Sequence, residues 1–397
     1  MTSIRQIRRD NENRIDYGII LNVMVLAIIG ILSVYSTTVL IEGGNLVPTL
    51  MHALWYGVGT IVVIAVMQLD SEQYWKLADY LYGFGILLLI IVLFFYDREM
   101  DVTGARSWLR IGSLTVQPSE LFKPAYIVFL AKVTTEHNNK NPNRTIKSDF
   151  LLLGKIIMFA IPPIILIQLQ NDLGTNLVIM VITAGIILLS GISWKILGPI
   201  ATTIIVIAGG IIIVVANYSD FLIENNIIQE YQIHRILDWL QPFNNTQGTG
   251  YQLAQSIKAV GSGQLSGKGF GISEVPVPVR ESDFIFTTIA ENFGFLGSSV
   301  LLFVYFILIY QMVQACFKTR NEFYSYIAAG VISMILFHIL ENIGMTIGLL
   351  PITGVPLPFV SQGGSALLGN MIGIGLILSM KYHHKNYMFG EDNDFSY

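Results

Sequence analysis

Residues 17–40 read YGIILNVMVLAIIGILSVYSTTVL, a run with no charged side chain. A bilayer core of about 30 Å is crossed by about 20 apolar residues in a helix, so this run can span it. The stretch before it is basic and polar through Asp16, and the run itself is too long for the apolar core of a cleavable signal and has no small-residue cleavage site. It therefore reads as a first span that also targets the chain. Working outward, comparable runs recur at roughly 50–69, 80–96, 119–132, 150–169, 173–190, 194–216, 284–314, 323–349 and 364–381. Backbone groups inside a bilayer must be bonded within their own segment, so these are helices. The expected fold class is an all-α polytopic membrane protein of about ten transmembrane helices, one domain over 1–397. A large extracellular loop, 217–283, lies between spans seven and eight.

Composition agrees. Of 397 residues 53% are hydrophobic and 13% charged, too apolar a chain to cover itself in water. Cys316 is the one cysteine, which excludes a disulfide framework and a cysteine-rich metal site. The net charge of −4 gives no sign of a nucleic-acid partner. Orientation follows from Lys and Arg. With the N-terminus cytoplasmic, 15 of the 23 fall inside: Arg5, Arg8, Arg9, Arg14, Lys76, Lys132, Lys140, Arg144, Lys147, Lys155, Lys195, Lys318, Arg320, Lys381 and Lys385. Both termini are then inside, in a plasma membrane.

The remaining cations sit in two outer segments. Arg98, Arg106, Arg110 and Lys123 surround the third loop; Arg235, Lys258, Lys268 and Arg280 belong to the seventh. Long loops translocate regardless of charge, but the third loop is short, and an anionic ligand outside would account for both groups. The seventh loop is not a tether. GYQLAQSIKAV (250–260) has the spacing of a short amphipathic helix. VPVPVR (275–280) is held extended by Pro276 and Pro278. Between them, GQLSGKGFG looks like a phosphate loop, but Ser262 stands where Walker A needs glycine and Gly269 where it needs Ser or Thr. HExxH, GxSxG and CxxC are absent.

Asp283, in RESDFIFTTIAENFG, lies where the extended loop enters an apolar helix on the outer side. Asp or Ser there serves as a helix N-cap; Ser282 can do that work and leave Asp283 for chemistry. Glu291, two turns on, is a second costly carboxylate, explained equally by a buried polar pair. In GARSWLRIGSLTVQPSELFKP (104–124), Pro118 suits a helix start, Ser119 can cap it, and Glu120 and Lys123 share a helix face. Arg106 and Arg110 flank Trp108, by default an interfacial anchor. LLPITGVPLPFVSQGGSALLGN (349–370) is a structured loop, re-entrant or packed. Gln168, Gln170, Asn171 and Asp172 cluster at the outer end of span five, and His338, Glu341 and Asn342 lie inside span nine. Intramembrane polar groups of this kind read as functional sites or as helix–helix hydrogen bonds.

GARSWLRIG with QPSELFKP, QNDLGTNL, GYQLAQSIKAVGSGQLSGKGFG, SDFIFTTIAENFGFLG and LPITGVPLPFVSQGGS, in this order on ten spans, resemble the SEDS (shape, elongation, division and sporulation) family over essentially the whole chain. GSGQLSGKGFG and HILENIGMTIGLLPITG are more similar to its elongation branch, RodA, than to its division branch, FtsW. The resemblance implies a peptidoglycan glycosyltransferase that polymerises lipid II on the outer leaflet beside a class B penicillin-binding protein. It puts the essential aspartate at Asp283, with Arg106, Glu120 and Lys123 as further catalytic groups. Trp108, Arg110, Gln117, Ser119, Ser361, Gly363 and Gly364 then contact substrate. Two departures stand out. Glu281 and Ser282 occupy positions where the family often has histidine and threonine, and Asn171 stands where proline is usual.

The mechanism so implied has the 4-hydroxyl of a lipid II GlcNAc attacking the anomeric carbon of the lipid-linked chain, with inversion and loss of undecaprenyl diphosphate. Asp283 is then the general base or the ligand of a divalent cation, Mg or Mn. Arg106 and Lys123 neutralise the leaving group, with Glu120 orienting Lys123. A lipid II flippase is the competing class, for which His338–Asn342 is the supporting feature. A non-catalytic scaffold leaves the outer charge cluster unexplained.

Overall fold

The computed structural model describes residues 15–41, 43–97, 106–112, 114–225, 230–244, 250–319 and 321–383. Of the cations counted above, Arg5, Arg8, Arg9, Arg14, Arg98, Arg320 and Lys385 lie outside the described residues.

Helix starts follow capping chemistry. Asp16 accepts from the Gly18 and Ile19 amides to open α1 (Tyr17–Tyr35), whose last turn runs on as a π-helix over Ser36–Ile41. Pro48 sits in the first turn of α2 (Val47–Gln68). Asp70 and Gln73 form a reciprocal capping box for α3 (Ser71–Phe94). A two-stranded antiparallel hairpin, β1 (Leu109–Ile111) and β2 (Leu114–Val116), occupies the third loop, an element the sequence reading did not anticipate. Pro118 opens α4 (Pro118–Lys140) as expected, but Gln117 takes the N-cap position and Ser119 lies inside the helix rather than capping it.

Thr145 caps α5 (Ile146–Leu169), Asp172 caps α6 (Leu173–Leu189) and Ser193 caps α7 (Trp194–Glu224). The seventh loop carries α8 (Glu230–Leu240) and α9 (Tyr251–Ser262), the latter where amphipathic spacing placed it. Then come α10 (Ile285–Lys318), α11 (Glu322–Thr346, capped by Asn321) and α12 (Gly364–His383).

Eight of these helices, α1–α3, α5, α7 and α10–α12, are long and apolar enough to cross a membrane. Spans four and six of the sequence reading correspond to α4 and α6. Both pack on α11, so their surroundings are protein more than lipid and their polarity is tolerated. The centre is α11 and α12, the most buried of the apolar helices; α12 also packs on α2 and α4. At the other extreme, α7 packs chiefly on α8 and leaves nearly all its apolar surface to the bilayer.

The glycine-rich run between α9 and α10 has a mechanical reason. Helix α10 breaks at Gly294, where φ is 63°. The run docks in that break: the Lys268 and Gly269 amides donate to the Glu291 and Asn292 carbonyls, and the Phe295 and Leu296 amides donate to Gln264 and Leu265. A Cβ on Gly267 would stand 2.1 Å from the Asn292 carbonyl oxygen, so only glycine lets the two backbones approach this closely.

Candidate active site

The chain around Asp283 is held by its backbone. Three successive carbonyls accept donors from α11 and from the loop between α11 and α12. Gln362 N–H donates to Glu281 O at 3.0 Å, Ser361 Oγ to Ser282 O at 2.6 Å, and Asn342 Nδ2 to Asp283 O at 2.7 Å. Asn342 Nδ2 also donates to Val355 O at 2.9 Å, and Thr353 Oγ1 to Glu341 Oε1 at 2.9 Å. The proline-rich loop 349–363 is thus a brace for the aspartate, which accounts for both its order and the polar side chains of α11. A Cβ on Gly354, itself at φ 77°, would lie 3.3 Å from Asp283 Oδ2. Backbone therefore comes up to one side of the carboxyl.

Asp283 does not cap α10. Phe284 holds the N-cap position and no side chain bonds there, so the capping alternative for Asp283 and Ser282 is not realised. The carboxyl is partly buried and accepts only a 3.3 Å bond from Ser282 Oγ among the described residues. Burial, reinforced by the negative charges of Glu281 and Asp172, raises its pKa to about 7, against the opposing effects of the Ser282 bond and the Arg235 charge. A carboxyl poised there is ready to take up or release a proton at neutral pH.

The third loop reaches the same place through Ser365 and Asp172. Gln117 N–H donates to Ser365 Oγ at 3.0 Å, and its Nε2 to Asp172 Oδ2 at 2.8 Å. Asp172 in turn caps α6 through the Thr175 amide and hydroxyl, each at 2.9 Å. Asn171 beside it has φ 58°, which a proline ring cannot adopt. The third and seventh loops therefore meet around residues 361–365 and Asp172. Sequence reasoning placed Asp172 only in a polar cluster, and had no signal for Gly354 at the carboxyl.

The other expected site residues divide. Arg106 is exposed at the rim, its amide bonded to Gln170 O and its guanidinium 5.3 Å from the Tyr96 ring centroid. Arg110 is exposed and bonds Asp97 at 2.8 Å; Trp108 is partly buried. Lys123 and Glu120 form the expected i,i+3 pair at 2.7 Å, but sunk inside the bundle, with Lys123 only 1% exposed and its Nζ 3.1 Å from His338 Nε2. Ser119 is fully buried, and its hydroxyl has no hydrogen-bond partner among the described residues. Gly364 faces Trp55, which would meet a Cβ at 2.3 Å, while Gly363 has open space apart from Ala366. The first of these glycines has a packing reason of its own.

Glu291 proves structural. Fully buried, it accepts from Arg280 Nη2, from Lys268 Nζ at 3.1 Å, from Ser273 Oγ at 3.0 Å and from the Glu274 amide at 2.9 Å. Arg280, also buried, donates further from Nε to Thr287 Oγ1 at 3.1 Å and from Nη1 to Ser273 Oγ. Two of the four outer cations of the seventh loop thus tie that loop to α10, and need no external anion to explain them.

Among the described residues no three His, Cys, Asp or Glu gather as a metal site. Asp283 alone would leave most of a divalent cation's shell to other oxygens.

Fold and site together define a polytopic membrane protein with a braced carboxyl, Asp283, at one mouth of its helical bundle. The chain belongs to the cell cycle protein family of FtsW, RodA and SpoVE, whose model matches residues 17–386. It is similar to stage V sporulation protein E of Bacillus subtilis (strain 168), 30% identical over 93% of this chain and 98% of that one. It is 32% identical to the peptidoglycan glycosyltransferase MrdB of Escherichia coli (strain K12), over 82% of this chain and 84% of that one. The fold matches a chain from a peptidoglycan synthase complex that coordinates polymerization and crosslinking, with TM-score 0.75, 24% identity and coverage of 93% and 98%. The rod shape determining protein RodA of Thermus thermophilus matches at TM-score 0.67 and 24% identity, covering 94% and 99%. The chain is accordingly a multi-pass bacterial membrane glycosyltransferase.

Proposed function

We propose that this glycosyltransferase polymerises lipid II into peptidoglycan strands at the outer face of the membrane during cell elongation. The observation that carries the reading is the clamped carboxyl of Asp283, raised to about 7. The GlcNAc 4-hydroxyl of lipid II loses its proton to Asp283 as its oxygen bonds to the anomeric carbon of the growing chain. The bond from that carbon to the diphosphate breaks on the opposite face, so the configuration inverts and undecaprenyl diphosphate carries off the electron pair. A positioned base of this kind contributes about 10²–10⁴-fold. Arg106 at the rim meets the departing diphosphate, while Lys123, paired to Glu120, adds positive potential from within α4. A divalent cation, Mg or Mn, held by Asp283 would draw its other ligands from those phosphate oxygens.

The MrdB relative's activity as a peptidoglycan glycosyltransferase supports the substrate class, and the likeness of 261–271 and 338–354 to the elongation branch supports the cellular role. The fold's occurrence in a complex of polymerization and crosslinking supports a class B penicillin-binding protein as partner. Two of the polar groups of α11 that favoured a flippase serve the aspartate and its bracing loop instead: Glu341 accepts from Thr353, and Asn342 donates to Asp283 O, while His338 bonds Lys123 within the bundle. Purified protein carrying Asp283→Asn binds lipid II and makes no polymer, with the partner present or absent. Normal glycan strands from that variant would overturn the assignment, as would wild-type protein that flips labelled lipid II across empty vesicles and polymerises none.

A further inference from the structure

On the inner side of the bundle, a cleft opens between α3, α4 and α5 that the outer-face chemistry does not use. Its polar floor is His137 and its mouth carries Lys132 and Lys155. His137 is buried, and its Nε2 lies 3.1 Å from both Ser148 O and Ser148 Oγ. A carbonyl only accepts, so Nε2 carries the proton, and Nδ1 is the acceptor for Lys155 Nζ at 3.3 Å. The imidazole is therefore neutral in this arrangement.

That arrangement leaves Lys155 with a neutral partner where the neighbouring cations have carboxylates. Lys132 bonds Asp79 at 2.6 Å and Lys140 bonds Glu136 at 2.6 Å. Among the described residues Lys155 has no carboxylate within ion-pair distance. It stands two and a half turns into α5, a helix apolar enough to span. Lys155 is exposed there, so its remaining donors are open to a partner from outside the chain. Below it the cleft wall is Phe129, Met158 and Phe159, and Met158 is 56% exposed on the lipid side. The site has a cation at headgroup level and an apolar wall continuous with the acyl region.

We infer that this cleft binds the phosphate of an anionic phospholipid from the inner leaflet. The phosphate oxygens take the two remaining N–H donors of Lys155, and an acyl chain lies along Met158 and Phe159. Asp79 and Glu136 on the rim repel a multiply charged soluble anion, which commits the site to a singly charged lipid phosphate.

The test is native mass spectrometry of the full chain in detergent, titrated with phosphatidylglycerol or with phosphatidylcholine of the same acyl chains. Wild type retains phosphatidylglycerol preferentially, and Lys155→Gln weakens that retention about fivefold, the effect of one basic residue at a membrane surface. Lys155→Arg keeps it, and Lys195→Gln, exposed in the first turn of α7 and outside the cleft, leaves it unchanged. Equal retention of the two lipids by wild type, or unchanged retention by Lys155→Gln, overturns the proposal. Displacement of the lipid by millimolar inorganic phosphate overturns the lipid source and assigns the cleft to a soluble anion. Because the wild-type comparison needs no variant, a misfolded Lys155→Gln does not rescue the idea.

Discussion

Replacing Asn342 with alanine tests whether the carboxyl of Asp283 is aimed by its backbone. Asn342 is fully buried, and its Nδ2 serves two carbonyls, Asp283 O at 2.7 Å and Val355 O at 2.9 Å. Alanine removes both donors. Each buried carbonyl left unpaired costs about 1–3 kcal/mol, and a water at the partly open Asp283 end recovers some of that. The expected destabilisation is therefore about 2–4 kcal/mol. Ser361 and the Gln362 amide still hold residues 282 and 281, so the segment tilts rather than detaches. A displacement of about 1 Å at a reacting group lowers the rate about 10²-fold. The assay is polymerisation of labelled lipid II by purified protein, with the unfolding midpoint measured in parallel. The reasoning predicts kcat down about 100-fold with KM little changed, because the clamp positions the base without touching substrate. A variant with a lowered midpoint but kcat within about twofold of wild type would refute it.

Three further outcomes follow from the same geometry. With the Asp283 pKa at about 7, polymerisation rises with pH through that value as the base ionises, and a kcat/KM profile reads the limb directly. Folding runs the other way: a carboxyl raised from 3.8 to about 7 loses stability as pH climbs through that window, so Asp283→Asn should unfold no earlier than wild type at pH 8. An earlier midpoint would point to a structural carboxylate. Finally, Glu291→Ala strands the buried Arg280 guanidinium and should cost about 3–5 kcal/mol in thermal unfolding, while the double replacement Arg280→Met/Glu291→Leu recovers most of it. Equal losses in the single and double variants would show that the charge pair is not what closes the loop.

How far the sequence reached depends on the kind of force involved. Spans were legible because lipid imposes a one-dimensional rule, length and apolarity along the chain, and the Lys and Arg tally that sets the expected orientation is equally local. Glycine spacing in 261–271 was visible as a pattern, but its reason was not. Only the broken α10 shows that the run exists to let two backbones exchange hydrogen bonds at Gly294. Likewise the outer cations looked like one population awaiting an anion. The structure separates Lys268 and Arg280, consumed by Glu291, from Arg106 at the rim.

Asp283 marks the boundary most clearly. Its position at the head of an outer helix, and the motif around it, could be read from the residues alone, and so could the membrane-spanning architecture that carries it. Its pKa and its aim could not. The aim comes from Asn342, Ser361 and Gln362, 59 to 79 residues downstream; the pKa comes chiefly from burial in the packed bundle, with smaller effects from Ser282, Glu281, Arg235 and, more than a hundred residues upstream, Asp172. Burial and electrostatics are sums over neighbours in space, and a chain that crosses the bilayer many times chooses those neighbours only when it packs.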